Sequence, residues 1–295
     1  EENTNREPVP YVLPPGVRRE ILPGATSATQ QNEQSMVLKV IDLEEGDSRA
    51  AFKNVSMDMR NYEKIEMYSH AEGLDEYSLE DDDLDLFIRI GSDYVSNYYE
   101  YSIPLKITEW YISQQEDITS SFSDGPLREA VWPNANKIEL ELGLLQQLKQ
   151  ERNNNDSIAF DIIYQNTQLN GGVVSIMGNP NLGNVKTIMI GIRNPEQSSS
   201  ENGSMESGEI WVNELRLTGF NEKGGWAART QMRLRLADFA NVAFAGSMST
   251  VGFGSLEKNI SERNLQDSRR YNLTASVELG QLFPKESNIK LPMYF

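Results

Sequence analysis

Between residues 226 and 236 the chain alternates almost without error. Trp226, Ala228, Thr230, Met232, Leu234 and Leu236 fall on one parity, and Arg229, Gln231, Arg233 and Arg235 on the other. A period of two marks a strand whose two faces meet different surroundings, because successive side chains point to opposite sides of a sheet. A helix at 3.6 residues per turn would scatter these arginines around its circumference. The pattern returns at 241–250, with Val242, Phe244 and Met248 opposite Asn241, Ser247 and Ser249. It returns again at 271–279, where Tyr271, Leu273, Val277 and Leu279 oppose Asn272, Thr274, Ser276 and Glu278. Such strands have the length and the two faces of transmembrane β-barrel strands, although half-buried strands of a second soluble sandwich alternate equally well. The connection at 237–240 is tight, whereas 251–270 is long and charged. In outer-membrane barrels short turns are periplasmic and long loops extracellular. Under that rule the first strand runs inward, the preceding domain lies on the extracellular side, and 283–288 falls at a periplasmic turn.

Upstream the texture is also β, with shorter segments. Apolar or alternating runs occur at 36–41, 51–59, 65–68, 84–90 and 98–107, then at 158–164, 173–177, 185–192 and 209–217. One stretch, 137–149, carries Leu140, Leu144, Leu145 and Leu148 at helical spacing, although its front end could equally pair as a strand. Many short strands with one helix predict a β-sandwich over 36–220 rather than an alternating βαβ sheet. Residues 1–35, with Pro8, Pro10, Pro14, Pro15 and Pro23, read as an extended arm ordered by whatever it lies against. Residues 197–208 form a loop rich in Ser, Glu, Asn and Gly. The chain starts at Glu1 without an initiator Met and stops at Phe295 inside an apolar run, and so reads as a segment or a processed product.

Charge separates the two parts. The formal net charge is −17, made of −20 before Asn221 and +3 from there onward. That balance argues against a nucleic-acid partner, which needs a Lys/Arg surface to neutralise phosphate. With no cysteine the chain has no thiolate metal site, Cys nucleophile or disulfide. No stretch is long and apolar enough for a transmembrane helix.

Catalytic chemistry finds little support. His70 is the only histidine and no Gly-x-Ser-x-Gly elbow accompanies it, so it reads as structural. Asp81, Asp83 and Asp85 match the opening ligands of a calcium loop, but Leu86 stands where that loop needs glycine, and a solvated turn explains them better. A sugar-binding face would use exposed aromatics, and Tyr94, Tyr98, Tyr99, Tyr101, Trp110 and Tyr111 are the obvious group. An aromatic stripe on a strand is more often core. The expectation is a protein that is not an enzyme.

Several stretches carry a family resemblance. The run 208–217 (Gly-Glu-Ile-Trp-Val-Asn-Glu-Leu-Arg-Leu), Gly219-Phe220 and 223–228 (Lys-Gly-Gly-Trp-Ala-Ala) are similar to the SprA/Sov family. So are 237–242, 249–255 and 277–280, and near the start 11–16 and 32–35. The resemblance implies an outer-membrane translocon segment of the type IX secretion and gliding-motility machinery of Bacteroidetes. Implied partners are other subunits of that machinery, transported protein cargo and outer-membrane lipid. Residues 36–217 also resemble galactose-binding-like jelly rolls, whose last strand reads like 209–217. The expected fold is therefore all-β: an arm (1–35), a jelly-roll β-sandwich (36–220) and antiparallel strands of an incomplete transmembrane β-barrel (221–295). Jelly rolls of that type often carry a structural calcium, for which Glu44, Asp47 and Glu214, with Glu45, would supply oxygens if their strands lie together. No other cofactor is expected. The alternative function is a secreted carbohydrate-binding jelly-roll module without catalysis.

Overall fold

A computed structural model describes residues 6–17, 34–76, 79–112, 125–155, 157–167, 172–196, 204–221, 224–255, 257, 263–264 and 266–295. The chain is all-β and divides into two compact units, Glu1–Phe220 and Asn221–Phe295.

The first unit opens with strands β1 (Met36–Leu43), β2 (Ser48–Met57), β3 (Lys64–Gly73), β4 (Asp85–Gly91) and β5 (Tyr98–Pro104). A short helix α1 (Gly125–Val131), strand β6 (Ile138–Glu141) and helix α2 (Leu142–Asn153) follow. Strands β7 (Tyr164–Thr167), β8 (Val173–Met177), β9 (Val185–Arg193) and β10 (Glu206–Thr218) complete it. Ladders with antiparallel pairing join them into two sheets, of order β1-β10-β3-β6 and β2-β9-β4-β5-β8-β7. Both sheets feed one core. Ile65, Met67, Ile210 and Val212 from the first meet Leu86, Ile88, Ile90, Tyr99, Tyr101, Ile103 and Ile192 from the second.

The segment 137–149 resolves into two elements. Ile138 and Leu140 turn inward while Glu139 and Glu141 turn out, pairing with Met67 and Ile65 of β3 by period two. The chain then switches period at Leu142, and Leu142, Leu145 and Leu148 of α2 join the same core. The helix stops at Asn154. The strand expected at 158–164 forms only from Tyr164 onward. Residues before it are a turn in which Phe160 lies under the Arg152 guanidinium, 4.6 Å away, and its carbonyl accepts from Gly178 N–H. The helix α1 was not expected; its Gly125-Pro126 opening is the one local signal for it, since proline suits a first helical turn. In β10 the ladder slips between Asn213 and Arg216, where Glu214 takes φ 55° and its N–H binds the Asn213 side-chain oxygen.

The second unit is one antiparallel sheet, β11 (Ala227–Leu236), β12 (Ala240–Ser249), β13 (Ser268–Glu278) and β14 (Pro292–Tyr294). It follows the alternation in the sequence and adds β14 at the end. Among its described residues only Ala240 is buried.

Candidate functional site

The register of the second sheet turns alternation along each strand into two continuous faces. Met232 stands opposite Phe244 and Phe244 opposite Leu273; Leu234 aligns with Val242 and Ala275; Leu236 aligns with Ala240, Val277 and Met293. Thr230, Gly246 and Tyr271 continue this face toward the other end. It is apolar from Leu236 to Tyr271, with Arg269 beside Met248 at the long-loop end, and it is bare. All of β11 is exposed, with Met232 at 48% and Leu273 at 51%, while Tyr271 and Phe295 exceed 80%. The opposite face aligns Arg229 with Ser247 and Arg270, Gln231 with Ala245 and Asn272, Arg233 with Ala243 and Thr274, and Arg235 with Asn241 and Ser276. Water-soluble sheets bury their apolar face, since leaving it in water forfeits roughly 25 cal/mol per Å². This sheet does not, and within it β11 and β14 are left as edges.

Its ends differ. A short connection at 237–239 joins β11 to β12, and the Glu278 N–H binds the Phe239 carbonyl there, 2.8 Å away. At the other end the connection 250–267 is long, and among its described residues Gly252 N–H is bound to Asn264 O and Trp226 N–H to the Thr250 hydroxyl. Gly225 has no room for a side chain, because a Cβ there would sit 2.1 Å from the Phe253 nitrogen.

In the first unit, residues 6–17 lie along β3 and β10 with Val9, Tyr11, Val12, Leu13 and Val17 buried. Trp132 Nε1 donates to Val12 O (2.7 Å), Tyr68 Oη to Pro15 O (2.9 Å) and Asn213 Nδ2 to Tyr11 Oη (3.0 Å). Arg6 locks the arm: its guanidinium pairs with Glu72 and with Glu209 (2.9 Å) and stacks 4.5 Å over Trp211. His70 is fully buried beneath Trp211. Its Nδ1 faces Val131 O at 2.7 Å, and its Nε2 faces the Glu72 carboxylate at 3.5 Å, longer than a well-formed hydrogen bond. Burial raises the Glu72 pKa, but His70 and Arg6 together outweigh it and hold the carboxyl below the ordinary glutamate range. The solitary histidine thus serves the packing of the arm.

The residues proposed for calcium do not meet. Glu44 and Asp47 sit in the β1–β2 turn, beyond the end where Leu43 pairs with Glu206, and Asp47 faces Arg49 at 3.4 Å. Glu214 lies beyond the opposite end of the same pair, where Met36 meets Val212, with Arg216 3.9 Å away. An intervening strand of eight residues separates the two places by about 25 Å, whereas one ion needs its oxygens within about 2.6 Å. Among the described residues no group of three acidic or His side chains could hold a metal ion.

The aromatic group is divided as well. Tyr99 and Tyr101 belong to the core between the sheets. Tyr98 lies on the opposite face under Arg89, 3.9 Å from its guanidinium, while Arg89 and Arg193 both bind Glu100. Tyr94 packs on Phe52, and Trp110 meets Tyr111 edge-on beside the arm. No single platform results. The aspartates near β4 are engaged locally: Asp81 accepts from Ile107 N–H, Asp83 from Glu80 N–H, and Lys106 bridges Asp81 and Asp82. Burial raises the Asp85 pKa despite Arg193 nearby.

A family model described as a motility related/secretion protein matches the chain over residues 1–295. No curated protein matches it.

Proposed function

From its membership in the family of motility-related and secretion proteins, which spans all of 1–295, we propose that this chain is a structural segment of an outer-membrane protein-conducting channel serving type IX secretion and gliding motility. The observation that carries the reading is the second sheet, apolar across four strands on one side, polar on the other, and bare on both. A barrel wall has that construction: lipid replaces water on the apolar side and a wet interior faces the polar one. A ten-residue strand is about 33 Å long and at a tilt of about 40° covers the roughly 25 Å apolar band of an outer membrane. Such barrels have at least about eight strands, so these four are part of a wall. The short 237–239 turn supports a periplasmic end and the 250–267 connection an extracellular one, and on this reading the unit before Asn221 lies at the cell surface. That unit is read as a jelly roll, supported by its two antiparallel sheets around one core. Its work is structural, and partners are other subunits of the machinery, cargo and lipid. The split aromatic group gives the carbohydrate-binding alternative no platform.

Deleting residues 227–294 from the chromosomal copy tests the role. Loss of both protein secretion and colony spreading is the expected result. Secretion and spreading at parental levels from cells that carry the deleted protein would overturn it.

A further inference from the structure

The polar face of the second sheet has a composition that a wet interior does not require. At its long-loop end is an open concavity of about 720 Å³ lined by Arg229, Arg263 and Arg270 with Ser247, Ser249 and Ser268, and among the described residues no carboxylate lines it. Asp267, next in the chain, is turned to the Val251 N–H at 3.0 Å. The Arg263 Nε is buried without a hydrogen-bond partner among the described residues. Toward the other end a second concavity of the sheet, of about 540 Å³, takes in Arg233 and Arg235 beside Asn241, Thr274 and Ser276. Among the described residues none of these five arginines forms an ion pair, although exposed arginines of the first unit do.

Spacing says what fits. Residues two apart on a strand project from the same face about 7 Å apart, so Arg233 and Arg235 are one such step apart and Arg229 and Arg233 two, with Gln231 between them, while Arg270 stands two strands across from Arg229. Guanidiniums in a row this long do not converge on one phosphate. They match carboxylates at alternate positions of an extended polypeptide, whose same-side side chains repeat at the same interval. We propose that Arg229, Arg233, Arg235 and Arg270 form a track that binds an extended acidic segment of a transported protein, with Asp or Glu at the alternate positions that face the arginines. The proposal rests on the channel reading, in which the polar face lines the interior. Ser247, Ser276 and Asn241 supply hydrogen bonds along the track, and the guanidiniums supply charge-assisted ones.

The test uses the full protein in lipid nanodiscs, with insertion established first by protease protection. Binding of a fluorescent peptide of alternating Glu and Thr is followed by anisotropy, beside a Lys–Thr peptide and a Ser–Thr peptide. The acidic peptide alone should bind, with affinity falling steeply between low salt and about 1 M salt. Replacing the four arginines by glutamine should weaken it by about tenfold or more, while replacing them by lysine should keep most of the binding. An unchanged Kd in the glutamine variant overturns the proposal. Equal binding of the Ser–Thr peptide does so too, as does full competition by millimolar inorganic phosphate, which would mark a point site for a phosphate group. These outcomes in an inserted protein leave the channel reading standing; failure to insert would instead remove that reading.

Discussion

Arg6 binds two carboxylates while stacked on Trp211, and Glu72, the more deeply buried of the two, also faces His70. Removing the Glu72 charge leaves the Arg6 guanidinium with Glu209 as its one carboxylate partner, beside the Val9 carbonyl. Glu72→Gln should therefore cost about 1.5–3 kcal/mol, the range for hydrogen bonds to charged groups, read as a lower urea midpoint of the first unit. Acid should do the same gradually. The folded Glu72 pKa is depressed, so its stabilising contribution is complete above the ordinary value of 4.5 and fades as pH falls below it through the folded value. Tryptophan emission from Trp132 and Trp211 should report release of the arm in that window, and Glu72→Gln should remove the part of the pH response due to this carboxyl. An emission profile identical in the two proteins from neutral pH to acid would contradict the assignment. The arm was legible in the sequence as proline-rich and dependent on a surface; that its surface is β3 and β10 was not, because Arg6 and Glu209 are joined only by the fold.

At the scale of elements, alternation was the most readable signal. It located β11, β12 and β13 to within a few residues because each strand has one apolar and one polar surface, so period two survives along its length. Strands of the first unit were harder. β5 is buried on both faces, its outward Glu100 held by Arg89 and Arg193, so alternation fades. Segment 137–149 presents leucines at helical spacing across a boundary between a strand and a helix, and each of its two readings holds over its own part. Helix α1 is too short to show a period. The calcium residues form a group on the condition that their strands lie together; β1 and β10 do pair, but their register sets Glu214 and the turn of Glu44 and Asp47 at opposite ends of β1. The two faces of β11 give a sharp pair of substitutions. Met232→Arg puts a charge on the apolar face near mid-strand and should cost about 2–4 kcal/mol of folding into a bilayer, measured by urea titration in liposomes. Gln231→Arg, one residue away on the polar face, should change the midpoint little. Equal penalties would mean that the two faces share one environment.

For the whole molecule, the division between Phe220 and Asn221 joins a unit with its own core to a sheet with none. The step in charge and the glycines at 219–225 lie beside that division and were visible in the sequence; the bareness of both faces was not, since alternation describes a lipid-facing strand and a half-buried soluble one alike. The proposed sidedness rests on the unequal connections. An epitope inserted at 257 should be labelled by antibody on intact cells, whereas one inserted at 238 should be labelled only after the outer membrane is opened. The reverse pattern would invert the orientation.

The central claim is that the apolar face of β11–β13 meets lipid. The chain has no cysteine, so single cysteines can be introduced at successive positions 231 to 235 and spin-labelled without background. In reconstituted protein the labels at 232 and 234 should be accessible to oxygen dissolved in the bilayer, and those at 231, 233 and 235 to a water-soluble nickel chelate. The account predicts that strict alternation. Uniform accessibility to the chelate along the strand, or protection of 232 and 234 from both reagents by packed protein, would contradict it.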